Sequence, residues 1–351
     1  MWRVQDSALR GIDAECACGL RSLGSMVWIR DAPSAQKEPS MQAAELPVWG
    51  ILDVGSNTFR LCVYRLEPGG GYEELASVKA AVGLASYLTP SGELSQEGID
   101  KAGKELAKLA RMASLMQCDE LCIFATAAVR NCSNSADALV QLERACWHPI
   151  QVISGREEAQ LSLMGAMESA TVRDGLFFDI GGGSTELISL KGGAAVGGES
   201  IPLGSLNAWM RCCEQILPKE RELKQLAREV GKLLDASSME LPQHCEALCS
   251  GGTMRFALKM ARKLGAECPG RKLGSAELEL IFNTLHREPN LLAHYMLQIN
   301  PARVHTLMPG ITIAREILRR LGCDSVVVAK TGVREGYLRR KIDAEHPIAS
   351  L

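Results

Sequence analysis

Two stretches of the chain carry one pattern of chemically useful residues. Asp53-Val54-Gly55-Ser56-Asn57-Thr58-Phe59-Arg60-Leu61 and Asp179-Ile180-Gly181-Gly182-Gly183-Ser184-Thr185-Glu186-Leu187 both read acid, aliphatic, glycine, small, any, hydroxyl, any, charged, leucine. Glycines let a backbone approach a ligand, and successive N–H groups in such a turn form a concavity suited to phosphate oxygens. The hydroxyls of Ser56, Thr58, Ser184 and Thr185 add donors, and the acids Asp53 and Asp179 at the strand ends can hold a metal ion or position a water. One glycine-rich hairpin is an ordinary tight turn. Two with matched acids and hydroxyls imply a duplicated unit facing itself across a cleft, with an anion gripped between the copies.

Three other places offer complementary chemistry. Ser154-Gly155-Arg156-Glu157-Glu158 follows an apolar run. Ser154 and Glu157 have capping-box spacing, which predicts that the Glu157 carboxylate returns to the N-cap backbone. Glu158 is left over near the positive end of the helix. It either stabilises the helix start or faces a ligand, since open α/β sheets bind beyond their strand ends. Arg130, just past another apolar run, is either solvated or a bidentate phosphate clamp. The small-residue loop Cys249-Ser250-Gly251-Gly252-Thr253 opens a helix expected from Met254 to Leu264, whose first amides form a third anion site.

The elements that must position these residues alternate as in an α/β protein. Each repeat is an apolar run, a turn and a second apolar run, 61–66 after the first turn and 187–190 after the second. Between them, Ser95 to Leu115 has helical periodicity through Ile99, Leu106, Leu109, Ala110 and Ala113. A strand at Leu121 to Ala125, a helix from about Ser133 to Ala145 and a strand at Pro149 to Ile153 follow.

Bulk properties narrow the classes. The 351 residues suffice for two domains, and 46% hydrophobic with 23% charged residues is ordinary for a soluble globular protein. A net charge of −2 offers no global basic field for nucleic acid. Basic residues nevertheless outnumber acidic ones from Arg255 to Lys341, either as solvated helix faces or as a surface turned to a polyanion. No apolar run approaches the ~18 residues of a membrane span. The 13 cysteines include no Cys-x-x-Cys pair and no zinc-type Cys/His set, and are read as reduced thiols of a cytoplasmic protein. Residues 1–45 lack periodicity and are expected to be a disordered tail, with Met41 an alternative start.

Together with Ile153-Ser154-Gly155-Arg156-Glu157-Glu158-Ala159, Gly251-Gly252-Thr253, Pro309-Gly310 and Arg334-Glu335-Gly336, the two turns closely resemble the exopolyphosphatase / guanosine pentaphosphate phosphohydrolase (Ppx/GppA) family, in that family's order from about Val48 to Leu338. The resemblance implies an α/β, two-domain actin-like ATPase/sugar-kinase (ribonuclease H-like) fold with an interdomain cleft. Domain I is expected over 46–165 and domain II over 166–345, the last helix packing back on domain I. It implies hydrolysis of the terminal phosphate of polyphosphate, or of the 5′ phosphate of guanosine pentaphosphate, with Mg²⁺ (or Mn²⁺). Glu158 matches the family's catalytic glutamate, Arg130 its substrate-contacting arginine, and Asp179 and Glu186 acids near metal and attacking water. With the turn chemistry, catalysis is assigned to Glu158 and Glu186, and metal binding to Asp53, Asp179 and Glu158. Substrate binding is assigned to Gly55, Ser56, Asn57, Thr58, Arg130, Gly181, Gly182, Gly183, Ser184, Thr185, Gly252 and Thr253.

Thr331 departs from the Asp or Tyr common before Gly332 in the family, and no further helical domains follow Leu338, which weighs against processivity on long chains. A kinase of the same fold would need an adenosine pocket, for which Gly251-Gly252-Thr253 is the single candidate, and an actin-type assembly protein would not need Glu157-Glu158. Neither a Gly-x-x-x-x-Gly-Lys-[Ser/Thr] loop nor His-Glu-x-x-His occurs. The basic C-terminal half favours the longer polyanion. No nucleic-acid or membrane partner is expected, and a homodimer through the second domain's helices stays open.

Overall fold

The computed structural model describes residues 46–237, 239 and 241–345, so the expectations for the leading segment fall outside the described residues. The first half contains β1 (Val48–Val54), β2 (Thr58–Leu66), β3 (Tyr72–Ala81), α1 (Gln96–Leu115), β4 (Glu120–Ala125), α2 (Ala127–Arg130), α3 (Ser135–Cys146), β5 (Ile150–Val152) and α4 (Gly155–Met167). The second contains β6 (Gly175–Ile180), β7 (Thr185–Lys191), β8 (Ala194–Ile201), α5 (Ser205–Cys212), α6 (Glu220–Asp235), β9 (Glu246–Ser250) and α7 (Gly252–Lys263). It continues through β10 (Lys272–Gly274), α8 (Ser275–Arg287), α9 (Pro289–Ile299), α10 (Val304–Leu321), β11 (Ser325–Val328) and α11 (Val333–Glu345). No helix among the described residues is long and apolar enough to cross a membrane.

The duplication in sequence is a duplication in topology. The first sheet runs β3-β2-β1-β4-β5 and the second β10-β11-β9-β6-β7-β8. In each, two antiparallel pairs form a meander whose first strand then pairs in parallel with the strand after the next helices, β4 or β9. The central strand β6, Gly-Leu-Phe-Phe-Asp-Ile, is buried throughout, which explains its unbroken apolar run.

Helices cover both faces of the first sheet. On one side Ile99, Leu106, Leu109 and Ala113 of α1 and Leu142 of α3 pack on Leu52, Leu61 and Ile123. On the other, Leu161 of α4 and Tyr337, Leu338 and Ile342 of α11 pack on Ile51, Tyr64 and Phe124, with Tyr337 stacked on Phe124 at 4.9 Å. The chain therefore leaves the first sheet through α4 and returns to it through α11. These helices meet at glycines: a Cβ on Gly165 would lie 1.9 Å from the Gly332 carbonyl oxygen, and one on Gly336 1.9 Å from that of Leu161. Both obstacles are backbone. Gly336→Ala is expected to cost about 1–3 kcal/mol or more by overpacking, read as a lowered melting temperature; an unchanged melting curve would show the crossing to be slack.

Helix starts follow local chemistry. Ser95 caps α1 by accepting from the Gly98 amide at 3.3 Å, and Ser154 caps α4 by accepting from that of Glu157 at 3.1 Å. The reciprocal half of the expected α4 capping box is not formed. Glu157 instead accepts from Gln151 at 3.2 Å and pairs with Arg340 of α11. A charged partner arriving from a distant helix outcompetes a neutral amide.

Register aligns the chemistry-bearing residues in rows. Asp53 on β1 lies opposite Arg60 on β2, which lies opposite Lys79 on β3. In the second sheet Asp179 on β6 lies between Ser250 on β9 and Glu186 on β7, and Glu186 lies opposite Ser200 on β8.

Candidate active site

The two glycine turns meet face to face. A Cβ on Gly182 would lie 3.1 Å from that of Ser56 and 3.3 Å from the Asn57 nitrogen, and one on Gly183 would lie 2.8 Å from Ser56 Oγ and 3.3 Å from Ala127 Cβ. Each turn is braced from behind through its carbonyls. Ser56 and Asn57 carbonyls accept from the amides of Ala85 and Gly83, both at 2.9 Å. Gly181 and Gly182 carbonyls each accept at 2.9 Å from the first amides of α5, Ser205 and Leu206, and the Gly183 carbonyl accepts from Asn207 Nδ2 at 2.8 Å. With the carbonyls turned inward, the amides of Ser56, Asn57, Gly182, Gly183 and Ser184 have no acceptor among the described residues. Asn57 Nδ2 and Thr58 Oγ1 are likewise buried without a partner. Orphaned donors on two abutting turns make an anion cradle.

Carboxylates gather beside the turns. Glu158, half-buried at the start of α4, pairs with Arg130 at 2.7 Å, and the same Arg130 Nη1 donates to the Ile153 carbonyl at 3.0 Å. Burial raises the Glu158 carboxyl to about 7 despite Arg130, with Asp179 and Asp53 adding to the rise. Glu186 is fully buried and accepts from Ser184 Oγ at 2.6 Å and Ser200 Oγ at 3.0 Å. Burial, then Glu158 and Asp179, push it well above the carboxylate range. Asp53 is raised by burial although Arg334 of α11 donates to its Oδ2 at 2.9 Å. Asp179 accepts from Ser250 Oγ, and its carboxylate oxygen approaches Gly251, where a Cβ would lie 2.4 Å away and where φ is +91°. Only glycine fits there.

A group of cations lies across from these acids. Arg60, Lys79, Arg255 of α7, Arg303 at the end of the 3-10 turn Pro301–Arg303, and Arg334 stand within one another's fields. Burial and then the Arg334 guanidinium lower Arg255 and Arg303, each to about 10. The Arg303 guanidinium lies over Gly252, where a Cβ would meet it at 2.6 Å.

Residues 62–345 match the Ppx/GppA phosphatase family. The chain belongs to this family. Exopolyphosphatase 1 of Mycobacterium tuberculosis is 28% identical over 312 residues, spanning 84% of this chain and 88% of the relative. Exopolyphosphatase 1 of Mycobacterium leprae is 27% identical over 305 residues, spanning 84% and 90%. An exopolyphosphatase structure from Cytophaga hutchinsonii superposes with a TM-score of 0.71 at 20% identity, over 85% of this chain and 98% of that one. The Aquifex aeolicus Ppx/GppA family member gives 0.69 at 21% identity, over 86% and 99%. The expected α/β fold is observed, built on two sheets and shared with solved Ppx/GppA structures, and the expected phosphatase family is the one matched.

In this Ppx/GppA phosphatase Gly55, Ser56, Asn57, Gly181, Gly182, Gly183 and Ser184 come together as the cradle, and Asp53, Glu158, Asp179 and Glu186 line up beside it. Two hydroxyls expected at the substrate are bonded elsewhere. Thr185 is fully buried on the far side of its strand, where its hydroxyl donates to the Leu203 carbonyl at 2.6 Å. Thr253 is buried against Gly310 and donates to Ser205 Oγ at 3.2 Å, so it braces α7 on α10. Arg130 Nη1 is engaged by Glu158 and the Ile153 carbonyl. Thr331 bonds Ser169 Oγ at 2.9 Å at the root of α11.

The donor set fits a hard divalent cation in one respect and constrains it in another. The carboxyls of Asp53, Glu158 and Glu186 are all held above their ordinary values, by burial first and then by the charge of neighbouring acids, and a bound cation would oppose that rise. Yet no group of three His, Cys, Asp or Glu side chains converges at ligand distance among the described residues. The fit is to an ion that keeps most of its waters and takes one or two carboxylates, as Mg²⁺ does.

Sequence reasoning missed the cations. Arg60 occupies the charged slot of the repeat, matched to Glu186, and could have been singled out by that opposition of sign. Lys79, Arg255 and Arg303 carry no local signal, because they arrive from different elements.

Proposed function

We propose that the chain hydrolyses the terminal phosphoanhydride of inorganic polyphosphate and releases orthophosphate. The observation that carries this reading is the pairing of an amide-lined cradle with a cationic surface, Arg60, Lys79, Arg255 and Arg303, alongside an acidic row. A polyanion several phosphates long answers to both parts. The names of the mycobacterial relatives support the same substrate. Guanosine pentaphosphate, hydrolysed at its 5′ phosphate, is the second reading, since it presents the same terminal phosphoanhydride to the same turns.

In this mechanism the amides of Ser56, Asn57, Gly182 and Gly183 hold the terminal phosphate, so the reaction begins from a fixed in-line geometry. Glu158 takes a proton from the attacking water as the water oxygen bonds to phosphorus and the bridging P–O bond breaks. Arg130 holds that carboxylate in place. Glu186, its carboxyl raised by burial, is fixed in the acidic row by the Ser184 and Ser200 hydroxyls that donate to it. Mg²⁺ or Mn²⁺, bound by Asp179 and Glu158 with Asp53 close by, would supply charge neutralisation at the transferring phosphoryl group.

The deciding experiment compares orthophosphate release from long-chain polyphosphate and from guanosine pentaphosphate, with Mg²⁺, under identical conditions. Faster turnover of polyphosphate is expected. The reverse order would move the assignment to the nucleotide, and inertness towards both would end it.

A further inference from the structure

The duplicated hairpins have diverged in charge at matched positions. In the second sheet the row is acid, acid, hydroxyl: Asp179, Glu186, Ser200. In the first it is acid, cation, cation: Asp53, Arg60, Lys79. Like charges directly opposite one another destabilise a strand pair, so the Arg60–Lys79 pairing calls for compensation.

Asp53 faces Arg60 from the other side, but no ion pair reaches Lys79 among the described residues. Arg60 Nε donates to Ser77 Oγ at 2.8 Å rather than to an acid. Neither Lys79 nor Arg303 has a carboxylate within ion-pair distance among the described residues, and Arg255 donates to the Lys330 and Thr331 carbonyls at 3.1 and 3.4 Å. The facing acids are committed elsewhere. Asp53 is held by Arg334, Asp179 by Ser250, and Glu335 by Tyr64 at 3.1 Å and the Gly332 amide at 2.8 Å. Lys79 itself is exposed in the cleft, where a ligand can reach it.

Position shows which part of a ligand would arrive. Arg60 stands level with Asp53, and Lys79 lies two strands across the same row, roughly 10 Å from that acid at the usual strand spacing. A phosphate there is an internal one, several links behind the phosphate being cleaved. A nucleoside triphosphate of comparable reach presents its neutral ribose at that depth. We propose that Lys79 is a specificity-determining residue that holds internal phosphates of a linear chain and biases the cleft towards long polyphosphate. The inference deepens the proposed function and rests on it. A flexible ammonium suits a chain that must shift after each cleavage, because it binds as a point charge without the fixed fork of arginine.

Lys79 also provides its own signature. Its amine is lowered to about 8 by desolvation in the cleft and then by Arg60, Arg303, Arg334 and Arg255, which reach it from four different elements. Below pH 8 it is charged, and above pH 8 the free protein loses that charge. A bound polyanion restores the proton, so affinity must fall as pH rises through this range.

The test is direct binding of long-chain polyphosphate and of tripolyphosphate to the full chain in EDTA, by calorimetry on either side of pH 8. Wild-type affinity for the long chain is expected to fall with pH. Lys79→Met is expected to weaken long-chain binding about tenfold, the scale of one charged contact, more than it weakens tripolyphosphate, and to flatten the pH response. Lys79→Arg is expected to keep the affinity and lose the pH response. Long-chain binding by Lys79→Met equal to wild type, or equal losses for both ligands, would overturn the role. Failure of wild type to bind or hydrolyse either phosphate would instead strike the proposed function, leaving the two failures distinct.

Discussion

Glu158→Gln is expected to bind polyphosphate as wild type does and to turn it over about 10²–10⁴-fold more slowly, the usual contribution of a general base. The substitution keeps the shape of the side chain and a carbonyl oxygen for Arg130, which pairs with the native carboxylate at 2.7 Å. It removes a basic site near the cradle whose proton affinity, raised by burial to about 7, suits proton transfer from water. The sign of the pH dependence follows. A carboxyl raised to about 7 is the base only when ionised, and a bound cation lowers that value, so wild-type turnover should drop as pH falls below 7. The residual rate of the variant should lack that limb. Single-turnover measurements with and without the substitution separate binding from chemistry. Retained turnover, or an acid limb that survives the substitution, would take Glu158 out of the role.

Gly183→Val is expected to lower kcat/KM by about 10²-fold or more, since displacement of a reacting group by about 1 Å costs that much. A Cβ at this position already meets Ser56 Oγ at 2.8 Å and Ala127 Cβ at 3.3 Å, and the branched side chain of valine adds further atoms to the same contact. The turns must part, and the amides of Ser56, Asn57, Gly182 and Gly183 then no longer converge on one phosphate. Strand pairing on both sides of each turn is untouched, so the melting temperature should change far less than the activity. A variant with full activity would mean that the cradle opens freely. A variant that melts early in proportion to its loss would reduce the effect to folding.

The two predictions probe different causes of one site. Glu158 supplies proton affinity set by burial, whereas Gly183 supplies empty space set by the approach of two backbones. The acid therefore tolerates an isosteric change in structure but not in chemistry, and the glycine the reverse.

Much of this was written locally. The turns were legible because a tight hairpin that aims amides outward needs glycine and small hydroxyl residues at fixed spacing, and that need is met within nine consecutive residues. Ser154 as the cap of α4 and the amphipathic face of α1 were legible for the same reason: their causes lie one to four residues away. The duplication itself told of two facing halves, because an unpaired copy would have had no partner surface.

What tertiary structure decided is which side chains remain free once the elements have packed. Thr185 and Thr253 carry hydroxyls suited to phosphate, but strand alternation and the α7–α10 contact turn them to the Leu203 carbonyl and to Ser205. Glu157 forgoes its own N-cap because α11 brings Arg340 to it from 183 residues away. The cation cluster joins β2, β3, α7, α11 and the turn before α10, and charges so far apart in the chain leave no spacing to read. Local geometry is set by bonds and backbone torsions that sequence specifies directly, whereas electrostatic company is set by packing, which depends on every element at once.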